Sequence, residues 1–141
     1  MAEDVAWPDL TLTQLEGQDW GEPTYPSYVV TNSHRLRYKP LRDYSPEDLR
    51  FMLGQQISLP ILMPMALDVL EADPFAGGDM QKGALLHMAV RVAPQFWRDH
   101  PQLWYRLDMV LLVARQLHEV LERGVFPAAD ALEAARNFKL E

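Results

Sequence analysis

Four histidines, one acid that follows a glycine pair, a few scattered serines and a pair of adjacent glutamines are the residues from which this chain would have to build chemistry. His34, His87, His100 and His118 form neither HExxH nor His-x-x-x-His, so no metal site is read, and surface or half-buried roles account for them. Gly77-Gly78-Asp79 lacks the lysine and the spacing of a phosphate loop and reads as a turn. Ser27, Ser45 and Ser58 lie in no nucleophile elbow. Asp19 with Glu22, and Asp43 with Glu47 and Asp48, hold carboxylates close enough in sequence for acid–base work, but helix starts and solvated loops explain them equally well. No catalytic residue, metal ligand or cofactor site is therefore assigned.

Gln55 and Gln56 remain, inside the apolar stretch LRFMLGQQISLPILMPMALDVL. A membrane span needs about 20 consecutive apolar residues, whereas the clean run from Leu59 to Leu67 stops at Asp68 and follows the two amides. The stretch is expected to be buried in the protein. Pro60 and Pro64 each lack an amide hydrogen and disfavour helix in the residue before them, so one helix should end near Ile57 and a second begin around Pro60 to Pro64. The glutamines are expected as buried amides donating to the carbonyls left open by that break. Leu49, Leu53, Gln55, Gln56, Pro60 and Pro64 then form the structural core, with Met52, Met63 and Met65 as filling.

The elements that must position these residues are helical. Tyr25-Pro26-Ser27 opens a helix through SYVVTNSHRLRY, with its basic residues in the last turns, where the helix dipole favours them. Ser45, Pro46 and Asp48 have the types expected at the N-cap, first and third positions of a helix from Pro46 to about Gln56. The helix around Pro60 to Pro64 runs to about Glu71, and another covers about Lys82 to Val92. From Pro101, Leu103, Leu107, Val110, Ala114, Leu117 and Leu121 recur at spacings of four and three, a stripe about 30 Å long if helical to Arg123. Leu111, Leu112, Val113 and Val120 widen it, so this helix is expected to be central and packed on several sides. Gly124 ends it, and Pro127 to Phe138 reads as a last amphipathic helix.

These elements describe an all-α fold: one domain of residues 1–141, a bundle of five to six helices with an irregular head over residues 1–24. A chain of 141 residues, 48% hydrophobic and 23% charged, fits one soluble globular domain; a domain of that size buries roughly 68% of its unfolded surface. The absence of cysteine excludes disulfides and fits a reducing cytoplasm. The start, MAEDVAWPDLTL, lacks the basic and apolar blocks of a secretory signal, and Leu140-Glu141 reads as a vector-derived tail.

Charge is unevenly placed. Residues 1–33 contain Glu3, Asp4, Asp9, Glu16, Asp19 and Glu22 with no Lys or Arg, and Arg35, Arg37, Lys39 and Arg42 follow within eight positions. A chain of formal charge −7 repels phosphate at long range, which argues against nucleic acid and for a basic protein partner. Solubility alone is the plainer reading of the same charge. Trp7, Trp20, Tyr25 and Tyr28 sit in this acidic head, outside the strong helices.

The ordered series LEGQDWGEPTYPSYVV, HRLRYKPL, SPEDLRFMLGQQISLPILMPMALDVLEADPFAGGD and GALL resembles the small immunity proteins of bacterial contact-dependent growth inhibition systems, over about Leu12 to Leu86. One departure is Ala84, where relatives often carry an acid after the glycine. The resemblance implies a cytoplasmic, non-enzymatic protein that binds and blocks the C-terminal toxin domain delivered by a neighbouring cell, commonly a nuclease with a basic substrate surface. It supplies no catalytic residues. Joined to the charge pattern, it makes Glu16, Asp19, Trp20, Glu22, Tyr25 and Tyr28 the expected toxin contacts. The rival from another class is a small helical ligand-binding or hydrolase domain using Gln55 and Gln56 with Asp79 or His87.

Overall fold

The computed structural model describes residues 9–77 and 82–120, with the side chains of Glu119 and Val120 left aside. Among the described residues there are seven α-helices, a 3-10 turn at Leu41–Asp43, and no strand. The fold is all-α, as the helical punctuation predicts. The helices are α1 (Leu12–Glu16), α2 (Tyr28–Arg37), α3 (Pro46–Gly54), α4 (Leu59–Ala72), α5 (Ala84–Val90), α6 (Pro94–Asp99) and α7 (Pro101–Val120). They fall into two compact units, residues 1–45 and 46–141.

In the first unit, α1 and α2 pack together. Ser27 caps α2 by accepting from the Val30 amide at 3.1 Å. Leu12, Leu36 and Leu41 are buried. The head expected to be irregular contains α1, because Thr11 and Gln14 form a reciprocal capping box.

In the second unit α4 is the central element, packing on α3, α5 and α7. Its buried residues Leu59, Leu62, Met63, Ala66, Leu67 and Leu70 recur at helical spacing. Both prolines are helical. Pro60 lies in the first turn, where amide hydrogens have no partner anyway, and Pro64 forfeits one backbone bond near the same end. Leu49 and Leu53 of α3 are 1% exposed. Arg106 of α7 holds α4 by donating to Glu71 through Nε and Nη2, at 2.8 and 2.9 Å, and to Asp68 at 2.6 Å. That guanidinium also keeps the Glu71 carboxyl below the usual range.

Three expectations are corrected here. Gln55 and Gln56 are exposed, not buried, because backbone groups close the end of α3. Ile57 N–H donates to Met52 C=O at 3.1 Å and Gln56 N–H to Leu53 C=O at 3.0 Å, the pair of bonds that ends a helix on a left-handed residue. Gln56 is that residue, with φ 54°, and Ser58 follows at φ 53°. Pro60 is exposed as well. Finally, α7 is not wrapped on several sides: Leu107, Val110, Leu111 and Ala114 face the core, while Leu112 and Val113, turned ~150° and ~110° from the middle of that face, and Leu117, at its edge, are exposed. Leu121, Gly124 and the helix expected from Pro127 lie outside the described residues.

Leu53→Ala deletes three carbons from a sealed position and is expected to cost about 2 to 5 kcal/mol. A urea melt of the variant that overlays the wild type would refute the core assignment.

Candidate functional site

The site lies in the first unit and starts from a buried cation. Arg37, the last residue of α2, is 1% exposed. Its Nη1 donates to Glu16 Oε1 at 2.5 Å and its Nη2 to the Gln18 carbonyl at 2.9 Å. Thr13 Oγ1 donates to the Arg37 carbonyl at 3.0 Å. The indole of Trp20 covers the guanidinium, 4.4 Å from ring centroid to Cζ. One side chain thus fixes both ends of the segment that leaves α1.

That segment turns by glycine. Gly17 ends α1 at φ 67° and Gly21 sits at φ 71°, both in the left-handed region that other residues adopt only with strain. Asp19 Oδ1 accepts from Gly21 N–H at 2.8 Å and from the Tyr38 hydroxyl, while the Tyr38 oxygen accepts from Gly21 N–H at 3.0 Å. His34 Nδ1 lies 3.0 Å from the Gly21 carbonyl; a carbonyl only accepts, so this nitrogen carries the proton. The His34 ring also meets Trp20 edge-on at 5.2 Å. The Tyr38 hydroxyl and the Gly21 amide hold the Asp19 carboxyl below its ordinary range, and donation to Asp19 pushes the Tyr38 phenol up.

Between this turn and α2 opens a cleft of about 710 Å³, whose lining includes Asp19, Glu22, Thr31, His34, Arg35 and Tyr38. Arg35 is oriented by Asn32, whose Oδ1 accepts from its Nε at 2.9 Å and Nη2 at 2.7 Å. The cleft presents two carboxylates, a guanidinium, an imidazole and a phenol to solvent. Such a surface matches charged and aromatic side chains of another protein better than an apolar small molecule.

The six expected contact residues divide into two groups. Glu16, Asp19 and Trp20 are held by internal partners, with Trp20 still 40% exposed. Glu22 lines the cleft, and Tyr25 and Tyr28 are 68% and 71% exposed. The acidic head and the basic run meet at two ion pairs, Glu16 with Arg37 and Asp9 with Arg42. Sequence reasoning missed Arg37 as a buried hub and Tyr38 as a site residue. Reading HRLR only as charge at a helix end hid the alternation that exposes Arg35 and buries Arg37.

In the rival site, the amide oxygen of exposed Gln56 accepts from Ala93 N–H at 3.1 Å, ahead of α6. Asp79 lies outside the described residues. Among the described residues there is no cluster of metal-ligand type, and no helix long and apolar enough to cross a membrane.

The helices and the cleft define an all-helical protein with a charged, partly aromatic cleft in its first unit. The family of CDI immunity proteins, those of contact-dependent growth inhibition, matches residues 14–107, more than half of the chain, and the chain belongs to that family. It is a toxin-neutralising immunity protein with a cognate toxin as partner. No curated protein and no solved structure matches it.

Two outcomes follow from the Arg37 hub and from the clasp that Asp19 and Tyr38 form at Gly21. Glu16→Ala removes a carboxylate from a buried guanidinium and is expected to cost about 3 to 5 kcal/mol, measured by urea unfolding. For Asp19 the folded value is lowered, so its contribution is present above the usual carboxylate range and lost as pH falls through the lowered value. For Tyr38 the folded value is raised, so its contribution is present below the usual phenol range and lost as pH rises past the raised one. The clasp therefore holds across the neutral range. In Tyr38→Phe, the Asp19 carboxyl should titrate at higher pH by NMR, and an unchanged Asp19 titration would refute the bond.

Proposed function

We propose that the head of the first unit is the toxin-binding surface and that it covers a basic, nuclease-like active surface on the C-terminal domain of the cognate toxin. The protein acts in the cytoplasm by occupying that surface and turns over no substrate. The observation that carries this reading is the exposure of two tyrosines, Tyr25 and Tyr28, on the segment between Pro23 and Thr31, both of which line the cleft together with Asp19 and Glu22. Aromatic anchors supply contact energy at interface centres, and surrounding carboxylates steer a basic partner and set its register. Glu16 takes an internal role in this reading and Glu22 the external one, because Glu16 already serves Arg37. Family membership supports toxin binding, and the surface chemistry supports a basic toxin face.

A toxin lethal at low copy number demands tight inhibition, so Kd is expected at nanomolar or below, about −12 kcal/mol. Surface plasmon resonance against the toxin domain tests the surface. Tyr25→Ala with Tyr28→Ala should speed dissociation at least ~30-fold, the equivalent of about 2 kcal/mol. Glu22→Lys should slow association and flatten its salt dependence while leaving the melting curve unchanged. Wild-type rates in both variants would place the toxin elsewhere.

A further inference from the structure

The outer face of α7 is apolar where a solvent-facing helix surface is ordinarily polar. Tyr105, Met109, Leu112 and Val113 are 66%, 57%, 46% and 40% exposed. At 100° per residue, Tyr105, Met109 and Leu112 fall within ~60° of one another, opposite the core-facing Leu107, Val110 and Ala114. Val113 borders the stripe on one flank. Asp108 and Arg115 border it on the other, both exposed and without an ion pair to another described residue. Single exposed apolar residues are ordinary, but a contiguous stripe with charges along one edge is the pattern of an interface.

We propose that this face binds a second copy of the same chain, with the two α7 helices antiparallel about a two-fold axis. The charges select that occupant. Asp108 and Arg115 are seven residues apart, which returns them to the same flank of the helix. A two-fold axis perpendicular to antiparallel helices brings like flanks together and reverses the direction. Asp108 of one copy then meets Arg115 of the other, and the pairing occurs twice. The register centres between positions 111 and 112, so Leu112 lies against its own counterpart and Met109 lies beside Val113 of the second copy. A parallel pair would set the Asp108 and Arg115 flank of each copy against the Val113 flank of the other and leave both charges unpaired. The stripe from Tyr105 to Val113 spans only ~13 Å, below the size of a standard stable interface, so the association should be micromolar. This inference is independent of the toxin-binding reading, because it uses none of the head.

The test is sedimentation equilibrium of the full chain at ~100 μM, a concentration above the Kd expected for so small an interface. The expected result is a species of about twice 16.2 kDa, reduced to monomer by Leu112→Asp with helicity unchanged. Asp108→Arg and Arg115→Asp should each weaken the dimer at least ~5-fold, and the double exchange should restore it. Since the chain has no cysteine, Leu112→Cys provides a single thiol that should cross-link the dimer on mild oxidation. A wild-type monomer at that concentration overturns the proposal, whether toxin or another segment of the chain covers the face. A dimer that survives Leu112→Asp, or a double exchange that fails to restore association, overturns it as well.

Discussion

A guanidinium withdrawn from water must be given a charge, oriented acceptors or a π-face in return, and Arg37 takes all three. The organisation of the first unit follows from that demand. Glu16 must close α1 at the point where its carboxylate reaches inward, Gln18 must turn its carbonyl the same way, and Trp20 must lie flat above. Gly17 and Gly21 supply the two left-handed turns that this path needs. What remains outside the path, Glu22, Tyr25 and Tyr28, is thereby presented to solvent. An ion pair of this kind contributes little net stability over a well-packed apolar replacement, but it admits few alternative arrangements of its partners.

The same pairing changes what net charge means here. Six acids with no Lys or Arg over residues 1–33 describe a strongly negative head, yet two of them meet cations from the run that follows. The field felt by an approaching basic surface is accordingly smaller than the formal count, and more local. Within a Debye length of about 8 Å, Asp19 and Glu22 at the cleft matter more than the sum over the chain.

Much of the architecture was legible because prolines and caps act locally. Ser27 and the prolines at 46, 60 and 101 mark helix starts within a residue or two, whereas the short helix that Pro94 opens was not read. Leu49 and Leu53 follow from helical periodicity. The failures share a cause, which is that the deciding partner is distant or is not a side chain. Arg37 is buried because Glu16 lies 21 residues earlier, a relation that periodicity does not encode. Gln55 and Gln56 looked like buried donors because a helix end needs donors, but Gln56 and Ile57 supply them from the backbone. On α7 a sequence lists apolar positions without saying which of them a neighbour covers. Trp97, by contrast, is wholly buried, while Tyr105 is mostly exposed.

The brevity of α1 has an entropic consequence. Five residues cannot sustain a helix in water, since nucleation alone outweighs the bonds so few residues can form. This helix exists only because α2 and its terminal arginine template it. Once templated, the turn bearing Trp20 and Glu22 has few alternative conformations left to lose. A partner that docks there meets a surface ordered during folding, and much of the ordering entropy that flexible loops surrender on association has already been lost.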